Sequence, residues 1–139
     1  MSFLLDTDVV SSLEKKRVPP RLSAWMAQNE QEVFLSVVTF AELEFGLRRA
    51  PATHQPSLRA WLENLRRCFA HATEPLDEAV LVRWKTLLAE LEASRRTLTC
   101  EDSLIAATAL THGHILVTHN PSHFEPCGLT AVDPLAGTG

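Results

Sequence analysis

Phe3-Leu4-Leu5-Asp6-Thr7-Asp8-Val9-Val10 sets the reading of the whole chain. Consecutive apolar residues without alternation describe a short strand buried on both faces, the habit of a parallel sheet covered by helices. The run stops at Asp6-Thr7-Asp8, so this strand delivers carboxylates at its C-terminal end before Val9 to about Lys15 continues as helix. The pattern recurs further along. Val33-Phe34-Leu35 is a second buried strand, and Ser36 to Arg49 reads as helix because Val38, Ala41, Phe45 and Arg48/Arg49 keep a helical spacing. Ile115-Leu116-Val117-Thr118 is the clearest strand of all, and Leu129 to Val132 reads as the last one.

The intervening segments are helical. Pro19-Pro20 breaks the chain and Pro20 opens a helix through Trp25 and Met26. Leu58, Leu62, Leu65 and Phe69 share one helical face, as do Val80, Trp84, Leu87, Leu88 and Leu91. His71 to Leu76, between them, is a short candidate for a further strand. Thr99 opens a helix over Glu101 to about His112, which Gly113 terminates. Short apolar strands alternating with amphipathic helices predict a three-layer α/β/α sandwich with a central parallel sheet, one domain over residues 1–139.

Composition excludes several classes. With 139 residues, 45% hydrophobic and 22% charged, the chain is neither a disordered tail nor a fibre. No stretch approaches the roughly 20 apolar residues of a membrane span. Asp6 arrives too early for a signal-peptide core, so a cytoplasmic setting is expected. A net charge of −4 excludes a uniformly basic glove for nucleic acid, but not a nucleic-acid substrate met at a local site. Cys68, Cys100 and Cys127 form no C-x-x-C pair and are expected to be reduced, buried thiols.

Asp6, Glu42 and Asp102, with Asn120, occupy equivalent places in this alternation, at or near the ends of strands. In an open α/β sheet, ligands bind outside the carboxyl ends of the strands. Carboxylates gathered there repel one another, and a hard cation such as Mg²⁺ or Mn²⁺ is the natural neutraliser. Each residue also has a purely structural explanation. Asp6 or Asp8 fits a helix N-cap, Thr39 to Glu42 and Thr99 to Asp102 have capping-box spacing, and Asn120-Pro121 is a turn signal. Their joint placement favours the site.

Phe3 to Val10 and Leu35-Ser36-Val37-Val38-Thr39-Phe40-Ala41-Glu42-Leu43-Glu44-Phe45-Gly46 resemble the opening motifs of PIN-domain proteins. Glu101-Asp102-Ser103-Leu104-Ile105-Ala106-Ala107-Thr108-Ala109 and Ile115-Leu116-Val117-Thr118-His119-Asn120 resemble the closing ones, in the order seen in VapC-type toxins of bacterial toxin–antitoxin pairs. The resemblance implies a Mg²⁺- or Mn²⁺-dependent endoribonuclease acting on RNA, a homodimer, and a tight-binding VapB-type antitoxin. It implies an acidic site of Asp6, Glu42 and Asp102 with Asn120 at the fourth position, the metal on Asp6 and Asp102, and Thr7 and Thr118 as supporting polar groups. Three departures stand out. Asn120 replaces a frequent acid, His123 precedes Phe124 where Asp-Phe is common, and His119 stands where Arg is frequent.

Two rivals follow from the same residues. The departures fit a PIN-like scaffold that binds RNA or antitoxin without cleaving. Asp6 and Asp8 also fit the D-x-D opening of haloacid-dehalogenase-type phosphatases, although Lys85 then falls inside an amphipathic helix. The histidines His112, His114, His119 and His123 lack a Cys or further His to complete a zinc set. The leucine-rich faces of 58–69 and 80–91 are expected to leave an apolar surface for a second copy of the chain.

Overall fold

The computed structural model describes residues 1–136. Five strands form one sheet: β1 (Phe3–Leu5), β2 (Val33–Ser36), β3 (Thr73–Glu74), β4 (Ile115–Val117) and β5 (Ala131–Val132). Their order is β3-β2-β1-β4-β5, and every pairing is parallel. From β1 the chain builds outward through β2 and β3, then returns to the other side of β1 for β4 and β5. The winding therefore reverses beside β1, and a crevice opens at the carboxyl ends of β1 and β4. Register fixes that place: Leu5 lies opposite Val117, and the Asp6 N–H donates to the Val117 carbonyl at 2.8 Å.

Among the described residues, six α-helices flank the sheet: α1 (Thr7–Glu14), α2 (Pro20–Asn29), α3 (Val37–Arg49), α4 (Gln55–Cys68), α5 (Glu78–Ala93) and α6 (Cys100–His112). Side chains alternate across a strand, so Phe3, Leu5 and Val117 face a core with Val9, Val10, Leu22, Leu47 and Leu62 from α1 to α4. Leu4 and Leu116 point the other way, into a core with Val80, Leu87, Leu91 and Ile105 from α5 and α6. This is the expected α/β/α sandwich. Trp84 Nε1 donates to Ser103 Oγ at 2.8 Å, tying α5 to α6 on the outer layer.

Several boundaries moved. The first helix begins at Thr7, not Val9, because Asp6 already has the extended backbone of an N-cap and accepts from the Thr7 N–H. Ser36 ends β2 and caps α3, accepting from the Val38 N–H at 3.0 Å, so the Thr39–Glu42 capping box does not form. Thr118 falls just past β4, and the last strand shrinks to Ala131–Val132. The Thr99 cap is as expected, with the Asp102 N–H donating to Thr99 Oγ1 at 3.1 Å. So is Gly113, whose φ of +70° is the left-handed conformation a helix end of this type requires. Cys68 and Cys100 are exposed rather than buried, since each sits on the outward side of its helix end. Cys127 alone is buried, which pushes its thiol up to about 11.

Candidate active site

The crevice at the end of β1 and β4 holds a cavity of about 390 Å³ lined by Asp6, Thr7, Asp8, Ser11, Glu42, Asp102, Thr118, Asn120, His123 and Phe124. All four residues expected to form the site therefore meet, together with both supporting threonines. Each comes from a different element: Asp6 from the end of β1, Glu42 from α3, Asp102 from the first turn of α6, and Asn120 from the turn after β4.

Asp6 is the deepest, only 6% exposed. One carboxylate oxygen accepts from the Thr7 N–H at 2.9 Å and the other from Thr118 Oγ1 at 2.9 Å. Burial and the charges of Asp8 and Asp102 outweigh these donors and push its pKa up to about 7. Glu42 is likewise raised, first by burial and then by Glu101 and Asp102, against a 2.6 Å hydrogen bond from Thr7 Oγ1. Thr7 gives its single hydroxyl proton to Glu42, so Thr39 Oγ1, 3.0 Å away, donates to Thr7. Asp8 turns aside to accept the His119 N–H at 3.2 Å.

Asn120 lines the cavity from a turn that engages its own polar groups. Its side-chain oxygen accepts from Ser122 Oγ at 3.1 Å, and its N–H donates to Thr118 Oγ1 at 3.2 Å. His123 is the residue that reaches the acids, with Nε2 3.2 Å from Asp102 Oδ2. The sequence marked this position only by a departure, His123 before Phe124 where Asp-Phe is common, and not by the turn that brings it to Asp102. Side chains three apart eclipse in a 3-10 turn, and Pro121–Cys127 is such a turn, so His123 follows Asn120 into the crevice. Lys85 lies over the Trp84 ring at 5.4 Å and takes no part in the cavity lining, which removes the phosphatase arrangement.

The oxygen donors of Asp6 and Glu42, both raised in pKa chiefly by burial, fit a divalent cation that would offset their charge. Among the described residues, no three His, Cys, Asp or Glu side chains already converge on one ion position. A cation here would take a subset of them and keep waters, the habit of Mg²⁺.

Residues 3–126 match the PIN domain family, and the chain belongs to that family. It is 34% identical over 135 residues to the VapC ribonuclease Y4jK of Sinorhizobium fredii, covering 95% of this chain and 96% of that protein. It is also 34% identical over 119 residues to ribonuclease VapC4 of Mycobacterium tuberculosis, covering 84% and 85% respectively. Among solved structures, FitAcB from Neisseria gonorrhoeae superposes with a TM-score of 0.87 at 27% identity, covering 95% of this chain and 97% of that one. DNA-bound VapBC from Salmonella typhimurium shares the fold, with a TM-score of 0.87 over 96% of this chain and 98% of that one at 23% identity.

Proposed function

We propose that this chain, as one PIN-like domain over residues 1–139, is a divalent-metal-dependent endoribonuclease toxin held in check by a VapB-type antitoxin. The observation that carries the reading is the buried carboxylate Asp6, pushed up to about 7 at the mouth of the sheet with Asp102 and Glu42 around the same cavity. Its two hydrogen bonds do not offset burial and repulsion, so positive charge arriving there would stabilise the anion. The VapC ribonucleases similar to this chain, and the toxin–antitoxin complexes that share its fold, support the substrate class and the partner.

In this reading Asp6 and Asp102 hold Mg²⁺ or Mn²⁺. Held by these carboxylates, such a cation would supply activation of a water and an offset for charge on the phosphoryl oxygens. Glu42 orients the attacking water, and Thr7 keeps that carboxylate in place through its 2.6 Å bond. Thr118 holds Asp6 from behind, while Asn120 presents an amide to the water. Attack would form a bond from water oxygen to phosphorus and break the bond to the 3′ oxygen, with the proton lost by the water balanced by one gained at the departing oxygen, leaving a 5′-phosphate and a 3′-hydroxyl. No helix among the described residues is long and apolar enough to cross a membrane; a cytoplasmic setting, where RNA and antitoxin are both met, belongs to the same proposal.

Induction of the wild-type chain and of Asp6→Asn, scored for growth arrest and for RNA cleavage with and without EDTA, tests it. Arrest and EDTA-sensitive cleavage by the wild type alone are expected. Equal arrest by both proteins, with RNA intact, would assign the fold to binding without catalysis.

A further inference from the structure

We infer that His123 is a metal-selecting residue of this site: its Nε2, beside Asp102 Oδ2, gives the centre a nitrogen donor and makes it favour a first-row transition dication over Mg²⁺. The inference rests on the reading of Asp6 and Asp102 as the residues that take the cation.

The geometry comes first. Nε2 and Oδ2 stand 3.2 Å apart on the wall of the cavity that also contains Asp6. Adjacent corners of an octahedron with ligands at about 2.1 Å are themselves about 3 Å apart. An ion can therefore take the place of the proton these two atoms share, with the imidazole proton moving to Nδ1. The ring is also held in place. It packs edge-on against Phe124 at 5.2 Å and 83°, and Phe124 is a core residue only 1% exposed. The His123 N–H donates to the Asn120 carbonyl at 3.2 Å, closing the turn that presents the ring. At 39% side-chain exposure the imidazole is open to an incoming hydrated ion.

The chemistry then gives the selectivity. Mg²⁺ takes oxygen and surrenders water reluctantly, so an imidazole adds little to its binding. Nitrogen donors strengthen binding across the first-row transition dications, from Mn²⁺ upward to Cu²⁺. Asn120 cannot supply this preference, since its amide offers only an oxygen, already accepting from Ser122. Restoring a carboxylate at position 123 should move the site back toward Mg²⁺.

Calorimetric titration of Mn²⁺ and Mg²⁺ into wild type, His123→Gln and His123→Asp measures the preference, and pulsed EPR of the Mn²⁺-loaded proteins reads the donor atom. Wild type should show the coupling of a directly bound imidazole nitrogen, altered by ¹⁵N-histidine labelling and absent in His123→Gln. The ratio of Mg²⁺ to Mn²⁺ dissociation constants should fall about tenfold in both variants, the low end of the usual effect of removing a metal-site partner. The labelled wild type needs no substitution, so the test stands even if a variant folds poorly. Mn²⁺ bound tightly without histidine nitrogen coupling would overturn the inference and leave the ribonuclease reading intact. Neither ion binding to wild type would overturn that reading, and the role of His123 with it.

Discussion

Asp6 lies where β1, β4 and α1 meet, with Asp8 and Asp102 as charged neighbours, so its negative charge is held against both burial and repulsion. An acid whose pKa rises on folding binds its proton more tightly in the fold than in the unfolded chain. Its contribution to stability is full below about pH 4 and is lost as pH rises through about 7. The shift corresponds to a few kcal/mol at most, at about 1.4 kcal/mol for each pKa unit. The cation-free protein should therefore lose melting temperature between pH 5 and 8. Asp6→Asn should regain several degrees at pH 8 and little at pH 5, while abolishing cleavage. Melting curves at the two pH values check this, and equal stabilisation at both would mean that the charge is not the cause. His114 acts with the opposite sign. Burial lowers its pKa below 6.5 against the pull of Glu74, with the ring stacked on Phe34 at 4.7 Å. A histidine lowered on folding contributes stability above about pH 6.5 that is lost as pH falls. His114→Gln should flatten the acid limb of the stability profile without touching the limb set by Asp6.

The elements divide into those that hold the fold and those that hold the site, and substitutions should separate them. Leu87 is fully buried in the core between α5 and the sheet, and Leu87→Ala should cost about 2–5 kcal/mol of stability. Cleavage per folded molecule should be unchanged, because α5 sends no residue into the cavity. Thr118, at the end of β4, is equally buried, but its hydroxyl serves Asp6. Thr118→Val should therefore weaken cation binding measured by calorimetry, with a smaller loss of stability, on the order of 1 kcal/mol. A loss of stability without any change in cation affinity would make Thr118 a core residue only. The same division explains what the sequence disclosed. Apolar runs such as Phe3–Leu5 and Ile115–Val117 announced the buried strands, and carboxylates at fixed places after them announced the crevice. Periodicity could not reveal that Ser36 rather than Thr39 caps α3, since both residues offer a hydroxyl at cap spacing and only the β2 register chooses between them. Nor could it reveal His123 beside Asp102, which depends on a 3-10 turn built around Pro121 and Pro126. Local signals fix elements, whereas contacts between distant elements follow from how those elements pack.

For the whole molecule, the leucines expected to form a dimer face are largely spent inside. Leu62, Leu65, Leu87 and Leu91 are buried within the protomer. The apolar surface left over lies elsewhere, with Phe45 and Val82 each 61% exposed and Leu81 40% exposed. Phe45 sits one helical turn beyond Glu42 on α3, at the edge of a cavity of about 620 Å³ lined also by Val37, Ala41, Leu76, Cys100 and Leu104. Exposed apolar surface of this kind gains about 25 cal/mol for each Å² removed from water, and a second copy of the chain is the partner expected to cover it. Because Glu42 lines both this cavity and the acidic one, a dimer formed here would set two acidic crevices beside a common seam, suited to a strand of RNA. Phe45→Glu places a charge at the centre of that seam and should yield a monomer in light scattering at micromolar concentration, where a dimer is expected for the wild type. The acids, Thr7 and Thr118 are untouched, so cation affinity should stay within about twofold of wild type, whereas RNA affinity should drop because only one crevice is presented. A variant that remains dimeric would place the interface on another face. A wild-type chain that is itself monomeric would leave Phe45 to the antitoxin.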